Sequence, residues 1–268
     1  MRIKQLFTSL LLILFWSLLA HGQGPVDKAW NILKQGAAEK NTDKRVKTFR
    51  ALALLVQNQA AQQMAENALI DEKPEVRGAA ASALGQMGAK GSVSKLKQRV
   101  KEDADAGVVF SATDALFRLG DPAAFQVYYA VLLGEKKTGE GLVDSQVKML
   151  KDPKAMANIG FEVGIGFVPF GSAGYGVFKA VTKDDASPVR AAAATKLAGN
   201  PDPKSGEALA KSAADSKWLV RAAVVDAIAR RGDPSLLKAI LPILDDDNDA
   251  VKFSAAAAVI RLSAAGKK

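Results

Sequence analysis

The feature that most constrains the fold of this chain is a repeat. A valine, usually followed by a basic residue, opens an Ala-rich amphipathic run at Val46-Lys47, Val76-Arg77, Val108-Val109, Val189-Arg190, Val220-Arg221 and Val251-Lys252. Successive valines lie 30, 32, 81, 31 and 31 residues apart, so four intervals share one period and the fifth holds an insertion. An acid or its amide stands five residues before each valine: Asn41, Asp71, Asp103, Asp184, Asp215 and Asp246. Thirteen residues after three of the valines comes an Asp-Pro pair, at Asp121-Pro122, Asp202-Pro203 and Asp233-Pro234. A period in this range marks stacked supersecondary units, none of which can bury its apolar faces alone.

One unit shows why a helical hairpin is expected. In residues 220–243, Val220, Val224 and Ile228 recur at four-residue spacing and form one apolar helix face. Gly232 ends that helix, because glycine tolerates the left-handed conformation after a helix C-terminus. Asp233 caps the next helix, with Pro234 in its first turn, where no N–H is needed. Leu236, Leu237, Ile240 and Ile243 supply the second face. Small side chains, Gly78 to Ala81 in one unit and Ala191 to Ala194 in another, let stacked helices approach closely. The phased charges then meet between units, with Asp71, Asp103, Asp184, Asp215 and Asp246 facing Arg77, Arg190, Arg221 and Lys252. Such a ladder stitches the repeats together; the alternative is an arginine row that binds a ligand. Val109 stands where the third unit's base belongs, so a break is expected there.

The stretches EVRGAAASALGQMG at 75–88, PVRAAAATKLAGNPDP at 188–203 and LVRAAVVDAIARRGDP at 219–234 resemble the HEAT-like repeats of the phycocyanobilin-lyase type. The resemblance covers 41–134 and 183–268. It implies an all-α, right-handed α-solenoid of about six helical hairpins. Three lie before the insertion and three after it, and the last is truncated and acts as a cap. For activity, the resemblance implies a binding scaffold. A minority of such proteins are lyases that attach bilins to apoproteins, and an exported chain argues against that role.

Residues 135–182 leave the repeat. After a polar stretch at 135–141, the segment 159–181 combines six glycines with Phe161, Phe167, Phe170, Tyr175 and Phe178, and no charge lies between Glu162 and Lys179. Three readings compete. The segment packs on the array as a hairpin, or its five aromatics anchor a partner, or it contacts a membrane interface. The uncharged run of 16 residues is short for a span and is broken by Pro169. The glycine spacing follows no strand and opens no βαβ unit, which argues against nucleotide binding.

At the N-terminus, Arg2 and Lys4 precede an apolar run from Leu6 to Ala20, and Ala20-His21-Gly22 places small residues before Gln23. This is the pattern of a signal peptide over 1–22, cleaved near Gly22; the alternative is an uncleaved anchor. Without those residues the chain carries 35 basic and 28 acidic side chains, a net +7, because 1–22 hold two bases and no acid. The bases are spread along the chain rather than clustered, so no nucleic-acid partner is indicated. Cysteine is absent, and the only histidine, His21, lies in the leader. That excludes Ser-His-Asp and Cys-His nucleophiles and the usual zinc sites. The run Asp245 to Asp249 lacks the central Gly and final Glu of a calcium loop and reads as a solvated turn. Trp30 and Trp218 read as core or half-buried.

The expectation is therefore a signal peptide at 1–22, repeats at 23–134, the insertion at 135–182 and repeats at 183–268. Its function is an exported, non-enzymatic scaffold, periplasmic or extracellular, for a protein or peptide partner. No catalytic residue, metal or cofactor is expected. The alternatives are a membrane-associated structural protein using 159–181, and an enzyme resembling the bilin lyases.

Overall fold

The computed structural model describes residues 24–133 and 186–266, and among these every regular element is helical. The N-terminal half holds α1 (Pro25–Ala38), α2 (Thr42–Leu52), α3 (Gln59–Ala68), α4 (Pro74–Met87), α5 (Val93–Glu102), α6 (Ala106–Arg118) and α7 (Pro122–Leu133). The C-terminal half holds α8 (Ser187–Leu197), α9 (Pro203–Ser212), α10 (Trp218–Arg231), α11 (Leu237–Ile240) and α12 (Asp249–Ala265).

The predicted punctuation is in place. Gly232 ends α10 at φ 69°, and Gly88 and Gly120 take the same left-handed turn. Asp121, Asp202 and Asp233 each accept the N–H two residues on, at 3.0, 2.9 and 3.0 Å, which starts the second helix of the hairpin. One second helix departs from expectation. The stretch from Pro234 to Asp245 divides into a 3₁₀ turn, the four residues of α11 and a further 3₁₀ turn. Pro242 explains the break, since it lacks the N–H that a continuing α-helix needs. Leu236, Ile240 and Ile243 are still buried.

The first helices of the units, α2, α4, α6, α8, α10 and α12, stack side by side, but not in chain order. Going along the stack, α8 packs on α10, α10 on α12, α12 on α2, α2 on α4, and α4 on α6. The C-terminal half therefore precedes the N-terminal half in space. This corrects the expectation that the last unit caps the array: α12 sits in the middle. Among the described residues, the partner of α12 in the place of a second helix is α1, from the other half of the sequence, which packs against both α12 and α2. The physical reason is burial. Ala29, Leu33 and Gly36 of α1 and Val251, Phe253 and Ala256 of α12 would otherwise face water, and all are buried. One continuous apolar core runs from Ala29 to Leu262 through both halves.

The seam between the halves is close-packed. A methyl group built at Gly36 would lie 2.3 Å from Thr48 Oγ1 and 2.8 Å from the Phe253 ring, so only glycine fits. Arg261 Nη1 donates to the Leu54 carbonyl at 2.7 Å, and Lys28 pairs with Asp245 at 2.6 Å across the seam. The outer ends of the stack are α6 and α8. Val189 on α8 is 65% exposed, whereas its counterparts Val76, Val220 and Val251 are buried. Among the described residues, no further first helix covers α8.

Candidate functional site

The ladder lies along the turns that lead into each first helix. Arg77 donates from Nε and Nη2 to the two oxygens of Asp103, both at 2.8 Å. Its Nη1 donates to the Asp71 carbonyl at 2.8 Å. Arg221 repeats the arrangement, at 2.6 and 2.8 Å to Asp246 and 2.9 Å to the Asp215 carbonyl. Arg190 pairs with Asp215. Each acid also accepts a backbone N–H two residues on: Asp71 from Lys73, Asp103 from Asp105, Asp215 from Lys217 and Asp246 from Asn248. One carboxylate thus fixes its own turn and grips the neighbouring unit. The planar guanidinium fork suits that double task.

The electrostatics agree with the geometry. The carboxylates hydrogen-bonded to Arg77 and Arg221 hold both guanidiniums above their ordinary range. Burial pushes the Asp246 carboxyl up, but the bonds from Arg221 and the Asn248 N–H outweigh it and leave Asp246 below the usual range. All three nitrogens of Arg77 and of Arg221 are engaged within the protein. The arrangement stitches repeats together rather than presenting a row of bases to a ligand.

Two rungs differ from the sequence expectation. In the first unit the ladder base is Arg45, two residues before Lys47. Arg45 donates at 3.0 Å to Asp71 and at 2.8 Å to the Glu39 carbonyl. Lys47 instead pairs with Asp43 one turn back, at 2.6 Å. At the seam, Lys252 occupies the base position and Asn41 the acid position; Asn41 is an uncharged amide that accepts the Lys44 N–H at 3.1 Å, so no charged rung forms there among the described residues. Asp184 falls outside the described residues, as do Phe161, Phe167, Phe170, Tyr175 and Phe178. Trp30 is half-buried against the core, whereas Trp218, at the first position of α10, is 42% exposed.

A second cluster has no counterpart in the repeat pattern. On the outer hairpin α6–α7, the Phe117 ring sits 5.4 Å from Phe125 and 5.8 Å from Tyr128, and Tyr128 lies 6.4 Å from Phe110. Phe117 and Phe125 are 46% and 39% exposed. Burial, with the nearby Asp114 charge, pushes the Tyr128 phenol up to about 12. Asp114 is itself raised by burial, despite Arg118 at 2.8 Å. The fifth unit repeats this pair at the same phase. Asp226 is buried, accepts from Arg230 at 2.7 Å, and is pushed up by its burial.

Among the described residues, no group of three or more side chains is placed to hold a metal ion. No described helix is long and apolar enough to cross a membrane.

The chain is similar in arrangement to human deoxyhypusine hydroxylase in complex with glycerol, with 18% identity and a TM-score of 0.30 over 90% of this chain and 86% of that one. It is also similar to an engineered protein, with 17% identity and a TM-score of 0.28 over 88% of this chain and 97% of that one. No curated protein matches it. The sequence matches HEAT repeats over residues 31–127 and 176–260, more than half of its length. With its stacked helical hairpins, the chain belongs to the HEAT-repeat family.

Proposed function

We propose that this chain is an exported, non-enzymatic HEAT-repeat scaffold that binds a protein or peptide partner. The observation that carries the reading is the ring cluster on α6–α7. Phe117 and Phe125 present aromatic faces on a hairpin held by the Arg77–Asp103 rung. Large, rigid aromatics supply binding energy at little cost in side-chain entropy. The leader-like segment 1–22 and the absence of Cys and His beyond it support export and a non-catalytic role. The segment 159–181 is a second contact surface in the same scheme.

The test is capture from the native envelope fraction by three forms of the chain: wild type, a Phe117→Ser/Phe125→Ser double variant, and one with 159–181 replaced by a Gly/Ser linker. A protein captured by wild type and lost with the double variant supports the reading. Capture unaffected by both changes refutes it. N-terminal sequencing of the native protein tests export; a mature chain starting near Gln23 is expected.

A further inference from the structure

We propose that the seam between α12 and the α1–α2 pair is an exchangeable interface. The N-terminal half of one copy docks on the C-terminal half of a second copy through the same contacts, giving a reciprocal dimer. Four observations lead there. The halves are separate in the sequence, joined through residues 134–185 alone, and the helices that flank this segment, α7 and α8, belong to the outermost units of the stack. Each half has its own rungs, Arg45–Asp71 and Arg77–Asp103 in one, Arg190–Asp215 and Arg221–Asp246 in the other. The seam is the one junction among the described first helices with no such rung. Its contacts are instead the shape fit of Gly36, Thr48 and Phe253, with the Arg261–Leu54 and Lys28–Asp245 contacts at its edge.

A face completed by a segment distant in the sequence does not distinguish its own chain from a copy. The exchanged dimer keeps every contact of the closed monomer, so the two differ mainly in chain entropy. Tethering favours the monomer up to an effective concentration on the order of millimolar. Above that concentration, or on folding from crowded unfolded chain, the dimer forms.

The test uses two full-length variants. Gly36→Val spoils the N-terminal half's face, and Phe253→Asp spoils the C-terminal half's. Neither can close well alone. Mixed, they share one native seam, made by the N-terminal half of the Phe253→Asp copy and the C-terminal half of the Gly36→Val copy. Light scattering after co-refolding should show a 1:1 complex at twice the monomer mass, absent from either variant alone. If both variants keep wild-type helicity and the mixture stays monomeric, the proposal is overturned. If either variant loses helicity, two differently tagged pools of the intact wild-type chain replace the pair, unfolded together in urea and refolded at high concentration. A mixed-tag species at twice the monomer mass supports the interface, and monomer alone overturns it.

Discussion

Replacing Gly36 by alanine tests the wedged position of α1 through the sign of the effect. In a helix free of close neighbours, Gly→Ala stabilises by about 1 kcal/mol. At Gly36 the new methyl would meet Thr48 Oγ1 at 2.3 Å and two Phe253 ring atoms at 2.8 and 2.9 Å. Thr48 is fixed, because its hydroxyl donates to the Lys44 carbonyl at 2.9 Å. Turning it away forfeits about 1 kcal/mol, and overpacking the ring costs about 1–3 kcal/mol. The net is a loss of roughly 1–3 kcal/mol, the two costs less the helix gain. Gly206 on α9 is the control. A methyl there meets its nearest neighbours, the Arg231 and Leu236 side chains, at 3.5 and 3.6 Å, ordinary contact distances. Gly206→Ala should therefore stabilise by up to about 1 kcal/mol. Urea unfolding followed by circular dichroism reads both, and each kcal/mol corresponds to roughly 2–4 °C in Tm for a chain of this size. Adding Phe253→Leu to Gly36→Ala should recover stability beyond additivity. If Gly36→Ala raises the urea midpoint as Gly206→Ala does, α1 is not wedged in the seam and the stacking order is wrong.

Other outcomes follow from the rungs and buried acids. Arg221→Ala should cost about 2–3 kcal/mol in urea unfolding, because it strands a largely buried Asp246 and two turn carbonyls. Lys47→Ala, at an exposed pair, should cost under about 0.5 kcal/mol. Asp246 sits below its ordinary range, so its contribution is present above an unfolded value of ~3.9 and lost as pH falls further. Asp226 sits above its ordinary range, so the native state takes up its proton first and stability from this group falls as pH rises through the raised value. Across urea midpoints at falling pH, Asp246→Asn and Asp226→Asn should therefore change the slope in opposite directions. In a spectrophotometric titration, Tyr128→Phe should remove the phenol that ionises near pH 12.

Much of the architecture was legible because its signals are local. The caps at Asp202 and Asp233, the Gly232 turn and the Arg221–Asp246 rung each follow from side chains at a fixed phase. The Arg45 rung was missed because the Val-Lys pair at 46–47 imitates the pattern, while a lysine cannot make the two-pronged bond that defines the position. The stacking order is not local at all. Its one sequence trace was complementary: among the described residues, α12 is a first helix without its own second, and α1, with Ala29, Leu33 and Gly36, is a second helix without its own first. Recognising those as one hairpin needs the contact itself. The aromatic cluster on α6–α7 was hidden because the repeat draws attention to small residues, whereas Phe117 and Phe125 lie on different helices and meet only across the turn.

The placement of α1 beside α12 also sets a clock on synthesis. Gly36 leaves the ribosome 217 residues before Phe253, the ring that covers it. At about 5–20 residues per second, that interval is on the order of 10–40 s. For that time the faces of α1 and α2 that pack on α12 have no native cover, although α2 to α6 can already assemble among themselves. Closing a loop of this length also carries a larger entropy cost than closing one hairpin, though the cost grows only with the logarithm of length. The middle of the array is therefore completed last, and holdase chaperones that shield exposed apolar helices should engage the nascent chain at α1 and release it when α12 arrives.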